Sequence, residues 1–175
     1  MGIVEQSRRL APSPLGIGGL SRIELRNSLD LAGVRLNASA ETLLEDPVFD
    51  SDAARTVTTI EIIECSVADL GLDDGASLTQ IFATAHKQGL ALCPPFAGPY
   101  LRLATPHQPT APDSIMSNGQ APTGSVTIAS QRLRAEYDYP RGFYLRVIDN
   151  QPWLRGYRCA EDAPWRPEDR FLFRT

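Results

Sequence analysis

GFYLRVIDNQPWLRGYR, residues 142–158, holds two short runs rich in aromatic and aliphatic residues on either side of Asp149-Asn150-Gln151. Asp and Asn tolerate the left-handed backbone that a tight turn needs, so the stretch reads as a hairpin of strands 142–148 and 152–158. Pro152 opens the second strand, a position where its missing N–H is tolerated. SVTIAS, residues 125–130, and RFLFR, residues 170–174, are two further short β-like runs. Residues 124–175 therefore read as antiparallel strands.

Working upstream, TVTTIEIIECSV, residues 56–67, is β-branched and carries apolar residues on both alternating faces, which predicts a strand partly covered on each side. Helix signals flank it. Ser21 and Glu24 form a capping box, Ile23, Leu25, Leu29 and Ala32 follow as an approximate stripe, and Gly33 is placed to stop the helix. A second short helix after Asn37 ends before Pro47, giving a helical hairpin over 21–46. Ser77 and Gln80 open a helix to about Gln88, closed by Gly89. The YLRL run, residues 100–103, reads as a short strand, so 56–104 is strand–helix–strand. Residues 105–123, with Pro106, Pro109, Pro112 and Pro122, form a loop too long to be an ordinary connector. Residues 1–20, with Pro12, Pro14, Gly16, Gly18 and Gly19, read as a flexible arm. Helices first and strands afterwards predict an α+β fold in one domain, 21–175: an N-terminal helical hairpin, a strand and one further helix packed on a mainly antiparallel C-terminal sheet.

The chain has 175 residues, 42% hydrophobic and 22% charged, which excludes global disorder and coiled coil. Its net charge of −4 argues against a surface that binds polyanions throughout. Residues 51–100 are acidic, with Arg55 and Lys87 against six carboxylates, whereas 132–175 carry more Arg than acid. The three cysteines, Cys65, Cys93 and Cys159, are too few for a disulfide framework. With no apolar signal segment at the start, they suit a reducing cytoplasm.

Cys93, His86 and His107 are the one combination resembling a metal or Cys–His catalytic set, although they lack a CxxC or HxxxH spacing. The ordinary reading is three unconnected residues, with Cys93 a small buried apolar group. Glu61 and Glu64 fall on opposite faces of one strand, which separates them as an acid–base pair. The second helix of the hairpin carries Glu41, Glu45 and Asp46 and no cation, which counts against a helix-turn-helix on DNA. Arg102 shares a strand face with Tyr100; Asp149 or Glu136 is the expected carboxylate partner, and an anion site is the sharper alternative. Aromatics interleave with Arg towards the C-terminus, and Trp153, Tyr157 and Trp165 are the expected centre of a binding surface. The plainer alternative is a sheet whose rings face a core while Arg stems cover its rim.

Asp69-Leu70-Gly71, Gly75-Ala76, the Gly89–Pro94 run, Gly98-Pro99 and Leu101-Arg102-Leu103 form a pattern. With the Trp-bearing strand ending in residues 169–173, it resembles a bacterial family to which no activity is attached. The resemblance implies no catalytic residue. The functional expectation is a small cytoplasmic binding or protein-interaction module without catalysis, cofactor or metal. Its partner would be another protein or a second copy, with nucleic acid disfavoured and no membrane. The alternative is a small hydrolase or transferase with a cleft beside the 105–123 loop.

Overall fold

The computed structural model describes residues 12–116 and 119–175. In chain order the elements are β1 (Ser13–Ile17), α1 (Arg22–Leu31), β2 (Arg35–Leu36), α2 (Ala38–Leu44), α3 (Asp52–Arg55), β3 (Thr58–Ser66), β4 (Ala76–Ser77), α4 (Leu78–Lys87) and α5 (Gly98–Ala104). Then come β5 (Val126–Ile128), β6 (Gly142–Ile148), β7 (Gln151–Tyr157), β8 (Pro164–Trp165) and β9 (Arg170–Arg174). Short 3-10 helices lie at Pro47–Asp50 and Ala68–Leu70.

The β6–β7 hairpin forms as its sequence predicts. Ile148 pairs with Gln151, leaving Asp149 and Asn150 as a two-residue turn with φ of 49° and 63°. Both capping boxes form too: Ser21 with Glu24, and Ser77 with Gln80. Asn37 caps α2 through Ala40 N–H, and its side chain also bonds both backbone groups of Gly156 on β7. That contact docks the second helix on the sheet.

The sheet order is β1-β3-β9-β5-β6-β7-β2. The β5–β9 and β2–β7 pairings are parallel and the rest antiparallel, so the fold is α+β on a mixed sheet. The C-terminal strand does not extend the hairpin; it inserts between β3 and β5. Both faces are covered, as the apolar faces of β3 require. On one face α1, α2, α5 and Phe49 pack over Phe143, Leu145, Leu154 and Leu172. On the other, α4 and Trp165 pack over Ile63, Cys65, Phe171 and Phe173. RFLFR serves both cores, because its alternation sends Leu172 one way and the two Phe rings the other.

Two expectations are corrected. The flexible arm of 1–20 includes Ser13–Ile17, which is edge strand β1, paired antiparallel with β3. An edge accommodates Pro14, while Leu15 and Ile17 are buried. Gly18 then turns at φ 82°, where a Cβ would lie 2.1 Å from the Thr56 carbonyl oxygen. Residues 1–11 of that arm lie outside the described residues. The second correction is at 100–103, where helix α5 replaces the predicted strand. Pro99 suits the first helical turn. Gly98 lets α5 press on β6, since a Cβ there would fall 2.5 Å from a Phe143 ring carbon. Four residues of alternation are too few to separate strand from helix, and Gly98 through Arg102 are buried on every side.

Candidate functional site

β5 is only three residues long, and beyond it β6 has a free ladder position. The 105–123 loop fills that place: Ala111 N–H donates to the Val147 carbonyl at 2.7 Å. A segment rich in Pro, Ser, Thr and Gly has few apolar side chains to bury, so its order comes from polar contacts. Two buried arginines supply them. Arg146, in the centre of β6, is fully enclosed. Its guanidinium donates to the carbonyls of Thr123, Asp113 and Ile115 at 3.0, 2.9 and 3.2 Å, with the Asp113 carboxylate 3.4 Å away.

Arg102, from α5, is 1% exposed and holds the start of the loop. It donates to Gln108 Oε1 at 2.8 Å and to the carbonyls of Thr105 and Trp153 at 2.7 and 3.2 Å. Gln108 passes the connection on, donating to the carbonyls of Gly124 and Leu145. The expected pairing of Arg102 with Asp149 or Glu136 is not made. The residue lies on a buried helix and its partners are carbonyl oxygens. Burial with no carboxylate beside it lowers the guanidinium pKa to about 10.

Beneath the pinned loop is a cleft of about 850 Å³. Its floor is lined by Val126, Leu145 and Leu172 at the margin of the helical layer, and its roof carries Pro106, Pro109 and Pro112. Along the far rim, Arg170 pairs with Glu64 and Arg166 with Asp169, the latter at 2.7 Å. The walls are apolar and the charges are mutually neutralised, so the cleft suits a ligand with an apolar body and polar edges.

The predicted site residues are dispersed. His107 is exposed at the mouth of this cleft, as expected for a residue of the long loop. Cys93 and the exposed His86 border a different cavity beside α4. Cys93 is 2% exposed, its thiol donates to the Leu172 carbonyl at 3.7 Å, and burial pushes its pKa up to about 12. It is a protonated core thiol, not a nucleophile. Among the described residues, no three His, Cys, Asp or Glu side chains converge as a metal cluster.

Trp153 is half-buried under the Arg155 guanidinium, 4.9 Å from its ring centre. Tyr157 and Trp165 meet edge to face at 5.9 Å, and Trp165 is buried over Phe171. The three do not form one exposed patch. Tyr157 and Trp165 instead line a second, smaller pocket of about 230 Å³, from which Trp153 is absent.

Gln108 and Arg146 are the organising residues that sequence reasoning missed as site residues. The signal for Arg146 was present: one cation inside an otherwise apolar strand, GFYLRVI. Glu64, which the strand pattern separates from Glu61, is ion-paired with Arg170 at the cleft. The acidic helix α2 likewise has local partners, with Glu41 and Glu45 each 2.6 Å from Arg26 of α1. Compared with known protein families, curated proteins and solved structures, the chain matches none.

Proposed function

We propose that this protein is a binding module without catalytic chemistry, and that the cleft under the 105–123 loop seats an apolar segment of a protein partner. One observation carries the reading: Val126, Leu145 and Leu172 line an apolar floor under a loop already fixed by Arg102 and Arg146. A pre-ordered roof lowers the entropy lost when a segment docks. The hydrolase or transferase reading has its cleft in the expected place, but its proposed nucleophile, Cys93, lies in the core and borders another cavity. The partner is another protein or a second copy of the chain; nucleic acid is disfavoured by the balanced rim charges. Among the described residues no helix is long and apolar enough to cross a membrane. A cytoplasmic setting, supported by the buried Cys93 thiol outside any disulfide, and membership of the bacterial family that the Gly–Pro pattern resembles belong to the same proposal.

The test uses Nile red, a neutral apolar dye, with sedimentation velocity alongside. The dye should bind the native chain with single-site stoichiometry. Val126→Asp should lose that binding, while Ile23→Asp, at an exposed apolar residue of α1, keeps it. If a second copy is the partner, Val126→Asp also converts the dimer to monomer. Equal dye binding by both variants would overturn the cleft assignment.

A further inference from the structure

The smaller pocket lies across the sheet from the cleft floor. Thr127 of β5, Tyr144 of β6, and Arg155 and Tyr157 of β7 all point to the α4 side of the sheet, where Trp165 of β8 closes the pocket. Arg158, just beyond β7, stands at the rim and is exposed.

Its charge differs from the cleft's. Among the described residues Arg155 and Arg158 line it and no aspartate or glutamate does. Arg155 donates from Nε to the Tyr144 hydroxyl at 2.8 Å and stacks on Trp153, which fixes the guanidinium plane. Its two terminal nitrogens have no partner among the described residues, and Arg158 has none either. The nearby Glu161 is engaged by Arg141 at 2.7 Å and does not line the pocket. The Thr127 hydroxyl is likewise without a partner among the described residues.

We propose that this pocket is a binding site for a single-ring aromatic anion. Its ring would lie against Trp165 and Tyr157, and its anionic group on the free ends of Arg155 and Arg158. Two rings set at 85° give a ligand ring one face and one edge to meet, the preferred aromatic geometry. A guanidinium held by Tyr144 presents its fork ready for a carboxylate or phosphate oxygen. An aromatic corner alone would suit an ammonium group. Two arginines without a carboxylate repel such a ligand. The volume, about 230 Å³, falls below the roughly 300 Å³ where drug-sized pockets begin, which limits the occupant to one ring. This site meets the cleft only at Pro122 and Ser125 and shares none of its floor residues, so ligand binding at Arg155 and Arg158 is tested separately from the binding-module reading.

Titration calorimetry with benzoate, phenyl phosphate, benzamide and cyclohexanecarboxylate tests the assignment on the full chain. Benzoate or phenyl phosphate should bind about tenfold or more tightly than benzamide, which lacks the charge, and than cyclohexanecarboxylate, which lacks the aromatic ring. The preferred anion separates a carboxylate ligand from a phosphate one. Arg158→Gln, at an exposed residue with no structural bond, should weaken the anion about tenfold without changing Tm. Arg155→Gln should do the same if folded. In a Trp153→Phe background, Trp165 is the remaining tryptophan, and its fluorescence should respond to benzoate. No binding at millimolar anion, benzamide matching benzoate, an unchanged affinity in Arg158→Gln, or a silent Trp165 would each overturn the proposal.

Discussion

The region under α4 and the described parts of the 105–123 loop are held by different forces. Under α4 the order comes from rings. Phe82 meets Phe171 and Phe173 edge to face at 6.2 and 6.1 Å, and Trp165 packs on Phe171 at 4.8 Å. In the loop the order comes from guanidinium groups donating to backbone carbonyls. Ring packing spreads its contribution over many contacts; carbonyl ladders on a buried cation fail once the cation is removed. The loop side therefore concentrates its stability in two residues, and the cleft lies beside them.

The comparison can be broken at its strongest point first. Phe171→Ala should cost about 3–5 kcal/mol, because the ring is fully buried among aromatic neighbours and its loss leaves a cavity. Urea denaturation should show one cooperative transition shifted to lower denaturant, with the cleft intact in the folded fraction.

Arg146→Met should cost about 2–4 kcal/mol, since three carbonyls lose their donors. The distinguishing readout is local: limited proteolysis should cut within 105–123 well below the unfolding midpoint. Arg146→Lys should not restore protection, because an ammonium cannot span carbonyls from Asp113 and Thr123 as a planar fork does. Arg102→Met should follow with a smaller loss, about 1–3 kcal/mol. Its Nε is already without a partner, and its charge is buried beside no carboxylate. Protease resistance of the loop in both variants would show that the loop is held by something other than these cations.

Cys93 gives a pH test of the apolar core on the opposite face of the sheet from the rings. Its folded-state pKa is raised from 9.0 to about 12 by burial. Below pH 9 the thiol is protonated in both states and contributes no pH dependence. Between pH 9 and about 12 the unfolded chain loses the proton and the folded chain keeps it, so stability falls as pH rises. The slope approaches about 1.4 kcal/mol per pH unit. The difference between the wild type and Cys93→Ala isolates this group, because Arg102 drives stability the opposite way above pH 10. Parallel curves for the two proteins would mean that the thiol is not enclosed.

The smallest effect belongs to the surface. Glu41→Gln removes one partner of Arg26, which keeps Glu45, and should change stability by about 0–1 kcal/mol. That change should shrink further in high salt. A loss comparable to Arg146→Met would mean that the α1–α2 ion pairs are as structural as the buried arginines.

Much of the framework was legible because it is local. Ser21 with Glu24 and Ser77 with Gln80 place their hydroxyl and side-chain acceptor within one helical turn, and Asp149-Asn150 carries its turn geometry in its own backbone preferences. The β3 pattern announced two covered faces for the same reason. What depends on distant partners was not legible. Ser13–Ile17 is a strand only because β3 offers an edge, and YLRL is a helix only because Gly98 fits against Phe143, more than forty positions away.

The sequence by itself determined where helices begin and end, where the hairpin turns, and that apolar residues alternate onto both faces of the strands, since short-range hydrogen bonds and periodicity decide those features. Only the tertiary structure decided the strand order, with β9 between β3 and β5, and the fate of each arginine. Arg102 and Arg146 are buried on carbonyls, Arg155 is held by the Tyr144 hydroxyl, and Arg22 and Arg26 are paired at the surface. A guanidinium reads the same in every sequence context. Its role is set by which oxygens the fold brings within reach, and in this chain most of those oxygens come from residues far away in sequence.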